Sequence, residues 1–375
     1  MNPQDSGARP TDVDPGFNNL DISKIGPHPL PVTKAKPPSN HRQKIPLMVA
    51  IMALALVTSG ALFWHSRTKA PNTAALTKIS VQLEWVNNPE FAGMYVANDL
   101  GYYREAGLDV NLKELQDTTD VNQEVASGRA DYGVSTPLEI ILGRDKGLKT
   151  RAIAAIYQTS AYSIVSPKTA NIKTPFDFKG KVLGAGGGNN QATVTYMALI
   201  TGAGLNPNET TIKTVGFDPI QVFTEKQSDT FDAYRTDQTY LLSKANIPYN
   251  QVFPEDYGFG IYGDVLSTSD AKIAQKPAQV SAFTQATMRG WQYALDHQSQ
   301  TLTILAKHAN KLYKDPEYLK YIQANTALLI RPTGNRVLGS MQFVPWNRAY
   351  QAVEASGLLK TSFEVNDAYT TQFVK

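Results

Sequence analysis

From Lys78 onward, short segments with alternating apolar residues take turns with longer ones whose apolar residues recur every three or four positions. Lys78–Glu84 places Ile79, Val81 and Leu83 on one side of an extended chain, the period of a strand. Phe91–Glu105 spaces Phe91, Met94, Tyr95, Val96 and Leu100 for one helical face and reaches Gly101 and Gly107, where a helix can end. Leu108–Leu112 then reads as a strand, Asp120–Gly128 as a short helix, Ala130–Val134 as a strand and Pro137–Gly147 as a helix. Arg151–Gln158 and Tyr162–Pro167 are two further strands. This alternation predicts an α/β fold with a mostly parallel sheet and helices on both faces.

A second set follows Pro175. Lys181–Leu183 reads as a strand, followed by a glycine cluster and a helix over Gln191–Thr201. Strands over Thr211–Gly216, Asp232–Tyr234 and Tyr249–Phe253 alternate with helices over Ile220–Glu225 and Gln238–Ala245. From Pro277 the pattern changes to long amphipathic helices at Val280–His297, Thr301–Leu312, Pro316–Leu329 and Trp346–Ser356. Two α/β lobes with helices returning after them predict a bilobed receptor with its cleft between the lobes. Ligands of open α/β sheets sit beyond the carboxyl ends of strands, so the site is sought there.

The first part of the chain follows other rules. Residues 1–44 hold eight of the 22 prolines and no periodic apolar pattern, which predicts an extended, disordered cytosolic tail. Ile45–Trp64 runs for 20 residues without a charge, the length a helix needs to cross a bilayer. Trp64 falls where an interfacial anchor belongs, and Lys34, Lys36, Arg42 and Lys44 outnumber Arg67 and Lys69 across the run. That imbalance predicts one pass through the inner (plasma) membrane, with the large domain facing the periplasm or cell exterior. A signal peptide cleaved near Ala70–Ala75 stays open as the rival, although its charged leader is normally short. Residues 65–77 read as a tether, and 78–375 as the bilobed domain.

The 375 residues are enough for two folding units, and 42% hydrophobic content is globular. The absence of cysteine excludes disulfides, thiolate metal sites and cysteine nucleophiles. From Lys78 on, 28 Lys/Arg face 29 Asp/Glu, so no basic footprint for nucleic acid exists.

The strand ends hold Glu84, Trp85, Asn88 and Glu90 after the first strand, Ser135 and Thr136 after Val134, and Tyr157 and Gln158 after Ile156. The second lobe offers Gly186, Gly187, Gly188, Asn189 and Asn190, then Asp232 and Tyr234. Aromatic plates among neutral hydrogen-bonders suit a small ring or polar solute. Trp85 reads equally as a core aromatic, and Ser135 and Thr136 as a helix cap before Pro137. The glycines lack the G-x-G-x-x-G spacing and any Gly-Lys-Ser/Thr. They read either as a tight turn or as a backbone cradle for an anion or carbonyl at a helix start. His297 and His308 read as surface histidines rather than metal ligands, and neither a Gly-x-Ser-x-Gly elbow nor His-Glu-x-x-His occurs. No catalytic residues, metal or cofactor are expected.

The stretch VQLEWVNNPEFAGMYVANDLGYYREAGLDV, from Val81 to Val110, resembles the opening of periplasmic solute-binding proteins of ABC importers. The branch is the one related to thiamine-pyrimidine synthases and to nitrate, sulfonate and riboflavin receptors. Gly128–Thr136, Phe176–Lys181 and Ala282–Ala294 resemble that family's next strand and ligand loop, its passage into lobe two and its returning helix. The resemblance spans roughly Lys78 to Ser356 and implies a type-2 periplasmic-binding fold with a hinge of two crossovers, placed near Pro167 and Tyr257–Gly263. Lobe one would then take about 78–167 and 258–375, and lobe two about 168–257. It further implies that Trp85 stacks on a ring, that Asn88 and Tyr95 neighbour the cleft, and that Ser135 and Thr136 donate hydrogen bonds. The implied function is capture of a small solute, ring-containing or anionic, for delivery to an ABC importer permease. An enzyme of the pyrimidine-synthase kind and a membrane-anchored sensor are the alternatives. The cysteine-rich motif of the eukaryotic synthases is missing, which argues against the first of these.

Overall fold

The computed structural model describes residues 75–116, 119–188, 190–331 and 337–374. The expected tail, the apolar segment 45–64, most of the tether and Asn189 lie outside them. Among the described residues no helix is long and apolar enough to cross a membrane.

Ten strands divide between two sheets. The chain lays down β1 (Thr77–Gln82), β2 (Leu108–Lys113), β3 (Tyr132–Ser135) and β4 (Thr150–Ala155) in the first. It then crosses to the second for β5 (Tyr162–Pro167), β6 (Val182–Gly186), β7 (Thr211–Val215), β8 (Thr230–Tyr234) and β9 (Tyr249–Val252). It returns to the first for β10 (Val265–Ser269). The spatial orders are β2-β1-β3-β10-β4 and β7-β6-β8-β5-β9, so the two sheets repeat one plan. In each, an antiparallel strand is inserted among parallel ones: β10 runs against β3 and β4, and β5 against β8 and β9.

Those two strands are the first to follow each crossing, and they correct the expected lobe boundary. Strand β5 pairs Ile164 with both Asp232 and Val252, so Tyr162–Pro167 already belongs to the second lobe. The first crossing therefore occupies residues 156–161, ahead of Pro167. The second runs from Phe253 to Asp264, between β9 and β10.

The helices pack as their apolar spacing dictates. Helix α1 (Ala92–Asp99) buries Met94, Tyr95 and Val96, and it stops where Leu100 and Gly101 leave helical geometry. Gly101 takes φ +77, so the single helix expected over Phe91–Glu105 becomes two pieces, the second being Tyr102–Glu105. Helix α2 (Pro137–Asp145) covers the first sheet, and α3 (Asn190–Gly202) covers the second. Helix α4 (Pro277–Asp296) crosses α1 so closely that a Cβ on Gly290 would stand 2.0 Å from the Gly93 carbonyl oxygen. Its Phe283 stacks on Tyr132 with ring centroids 3.9 Å apart, and Trp291 is buried against Gly93. Burying such side chains contributes about 1.5–3 kcal/mol each. Helices α5 (Gln298–His308) and α6 (Pro316–Ile330) complete the first lobe, and α7 (Phe343–Ala355) packs on both α2 and α3.

Candidate functional site

At the carboxyl end of β1 the Gln82 amide donates to the carbonyls of Lys113 and Glu114, which pins the chain as it leaves the sheet. Asn88 then caps the turn Pro89–Phe91, its Oδ1 accepting from the Glu90 amide at 2.6 Å. This local geometry aims Glu84, Trp85 and Glu90 into a cavity of about 120 Å³ between the lobes. Opposite them, Gly186 ends β6 and Tyr234 ends β8, with Asp232 between Phe231 and Ala233 on that strand.

Aromatic rings form much of the wall. Trp85 and Phe217 lie 5.9 Å apart at 57°, and Tyr162 meets Tyr234 edge-on at 5.1 Å. The polar lining is mostly acidic: Glu84, Glu90, Asp232 and Asp237 beside Gln238, with no lysine, arginine or histidine among the described residues. Behind it, Glu84, Glu90 and Asp264 bring carboxylate oxygens within 4.8 Å of one another. Asp264 is 1% exposed, and the Tyr234 hydroxyl donates to its Oδ1 at 2.6 Å. Burial pushes the Asp264 carboxyl up to about 7. Burial, and after it the neighbouring Asp264 charge, hold Glu84 and Glu90 well above the ordinary glutamate range. Acids this close raise one another's pKa, so all three ionise together only at raised pH or beside a cation.

Contacts join the lobes around this cavity. The Trp85 indole donates to the Tyr313 hydroxyl at 3.0 Å, and that hydroxyl donates to Asp237 Oδ2 at 2.9 Å. Tyr318 donates to the other Asp237 oxygen. Burial raises the Asp237 carboxyl even against these two phenols. On another side, Thr136 donates to Gln191 Oε1 at 2.7 Å while accepting from the Glu139 amide at 3.3 Å. It therefore caps α2 and touches the second lobe at once, but it does not line the cavity.

Of the residues singled out from sequence, Glu84, Trp85, Glu90, Gly186, Asp232 and Tyr234 line the cavity. Several of the others pack around it. Ser135 accepts from Asn122 at 3.1 Å, Tyr157 donates to the Glu90 carbonyl at 3.4 Å, and Gln158 donates to the carbonyls of Ala155 and Ser340. Tyr95 donates to Asn87 and stacks on His308. Asn190 is exposed at the start of α3.

The glycine cluster is a wall rather than an anion cradle. The amides of Gly186, Gly187 and Gly188 donate to Asp232 Oδ1, the Val215 carbonyl and the Ala185 carbonyl respectively. Gly187 takes φ +63, and a Cβ there would lie 2.0 Å from the Phe217 ring, so the bare backbone is what lets Phe217 reach the cavity. Sequence reasoning passed over Tyr162, Phe217, Phe231, Asp237, Gln238 and Asp264. Phe217 was within reach of the strand-end rule, since it directly follows β7 and Gly216. Asp264 precedes a strand that the pattern does not reveal.

Comparison with known proteins agrees with this architecture. Residues 88–301 match the family described as NMT1/THI5 like. The riboflavin-binding protein RibY of Chloroflexus aurantiacus is 22% identical over 88% of this chain and 97% of its own length. The formylaminopyrimidine-binding protein of Halalkalibacterium halodurans is 22% identical over 87% of this chain and 97% of its own. A 4-amino-5-hydroxymethyl-2-methylpyrimidine phosphate synthase of Legionella pneumophila is 21% identical over 80% and 92%. The crystal structure of the periplasmic aliphatic sulphonate-binding protein SsuA of Escherichia coli aligns with a TM-score of 0.62 over 78% of this chain and 97% of that one, at 13% identity. That likeness shows the two-lobed periplasmic-binding fold. The family match takes in more than half of the sequence, and the chain belongs to the NMT1/THI5-like family.

Proposed function

We propose that this chain is an extracytoplasmic solute receptor that closes its two lobes on a small, ring-containing molecule and delivers it to an ABC importer. The observation that carries this reading is the cavity itself. It lies between the carboxyl ends of strands from two like sheets and is walled by Trp85, Phe217, Tyr162 and Tyr234. Among the described residues its lining holds no histidine, lysine or nucleophile poised against a base, which favours capture over covalent chemistry. A volume of about 120 Å³ is of the order of the cavities that accept one benzene ring, so a pyrimidine-sized solute suits it better than a fused tricycle. The relatives named for formylaminopyrimidine and riboflavin bracket that choice. The acidic lining gives no footing to the anionic alternative.

Residues 45–64 would hold this receptor in the inner membrane with its lobes outward. Two measurements test the proposal. Thermal melting with pyrimidines, flavins, sulfonates, nitrate and amidines should show stabilisation by a single-ring compound, and a panel without effect would sink the receptor reading. Full-length protein should fractionate with the inner membrane and be open to protease only from outside. A soluble species beginning near residue 70 would replace the anchor by a cleaved signal.

A further inference from the structure

We propose that Glu84, Glu90 and Asp264 form the recognition end of the cavity for a nitrogen-rich organic cation, a one-ring amidinium, and that its docking expels protons held by these carboxyls. The inference rests on the solute-capture reading and adds the charge and chemistry of the solute. The three carboxyls converge from two stretches of the first lobe and the second crossing. Asp264 is buried to 1% exposure, and its Oδ2 accepts no hydrogen bond from outside the acid cluster; Glu84 Oε1 is likewise buried, with no partner beyond the cluster. Unpartnered buried acceptors are costly; Glu84 and Glu90 line the cavity, and Asp264 stands directly behind them.

Among the described residues, no cation ranks among the main influences on these three carboxyls. Glu139 stands near Glu84, Asp237 near Glu90, and the phenols of Tyr157 and Tyr234 near Asp264. A planar amidinium presents paired N–H donors that match carboxylate oxygens, and the Trp85 ring offers a face to the cationic ring. Burial keeps the free cluster partly protonated around pH 7. The cation favours the ionised carboxylates, so each proton lost passes to the buffer and the complex needs no other partner. Affinity therefore rises with pH, by up to about tenfold per unit for each proton released, and levels off once the free cluster is ionised.

The test uses the full-length protein and four probes: benzamidine, benzamide, benzenesulfonate and manganese(II) chloride. Benzamidine should raise the melting temperature, and calorimetry at pH 7 in buffers of different ionisation heat should show protons released. Asp264→Asn and, as a second variant, Glu90→Gln should each weaken benzamidine by about tenfold or more and reduce the proton release. Benzamide or benzenesulfonate binding as tightly as benzamidine overturns the cation inference and leaves solute capture standing. So does benzamidine affinity that is flat with pH and unchanged in both variants. Manganese(II) that stabilises the protein and competes with benzamidine would make the cluster a metal site and overturn it as well. If none of these rings stabilises the protein, and neither do pyrimidines or flavins, both readings fall together.

Discussion

Trp85 sits where two demands meet. It is half-buried against the first lobe's core, and its indole N–H is anchored on Tyr313, yet one side of it faces the cavity. A fully buried aromatic replaced by alanine costs about 3–5 kcal/mol of stability, and a half-exposed one should cost less. Stacking on a ring, by contrast, adds about 0.5–1.5 kcal/mol beyond the area it buries. We expect Trp85→Ala to melt moderately below the parent and to lose solute binding by far more than tenfold. A variant that melts far lower while its folded fraction binds normally would return Trp85 to the core. Asp264 makes a different prediction, about pH. Its carboxyl titrates at about 7 in the folded protein and at about 3.9 in an unfolded chain, so the folded state holds the proton more tightly. The stability this gives is fully present below about pH 3.9 and is lost as pH rises through 7. Asp264→Asn mimics the protonated form at every pH. Its advantage over the parent in urea unfolding should grow between pH 4 and 7, to a few kcal/mol, and then stay flat. An advantage that shrinks with rising pH would show that the acid is stabilised as an anion instead.

Elements were legible wherever their pattern was set by burial alone. Strand β2 and the long helices from Pro277 stand out because apolar residues meet one surface at a fixed period. Strand β10 does not, because buried polar side chains break its pattern. Ser267 and Thr268 lie in the core and bond across the sheet to the carbonyls of Gly133 and Asp131. The hidden strand took with it the second antiparallel pairing and the role of Asp264 at its entrance. The crossing of α1 and α4 was equally silent in sequence, since a glycine in a helix signals nothing until its neighbour is known. There Gly290 lets α4 approach the Gly93 carbonyl, and Gly93 leaves room for the Trp291 ring. Overpacking ordinarily costs about 1–3 kcal/mol. Gly290→Ala presses on backbone rather than on a movable side chain, so the upper end of that range or beyond is expected in urea unfolding. Gly216→Ala is the control, with nothing within 4 Å of its Cβ and no positive φ. Equal midpoints for the two variants would mean that the helices separate freely.

At the scale of the whole molecule, the cavity depends on the lobes remaining together, and one group of contacts spans them beside Trp85. Tyr313 and Tyr318 of the first lobe hold Asp237 of the second, and Tyr318 stacks on Tyr240 at 4.7 Å. Tyr321 meets Thr239 at 3.0 Å, and Lys244 pairs with Asp315 nearby. The exposed ion pair is worth little on its own. The phenols to a buried carboxylate are worth more, about 1.5–3 kcal/mol for a hydrogen bond to a charged group. Parting the lobes would break these bonds, so they would bias the fraction of receptor competent to hold solute. Apparent affinity scales with that fraction. Because Trp85 donates to the same Tyr313, a ring seated on the indole and the latch on Asp237 bias one equilibrium. Replacing both Tyr313 and Tyr318 by phenylalanine keeps the rings and removes the hydroxyls. We expect this double variant to enlarge the ligand-free radius of gyration in solution scattering. It should weaken solute binding by about tenfold or more, while saturating solute restores the parental radius. A radius and an affinity that both match the parent would show that the lobes close without this latch.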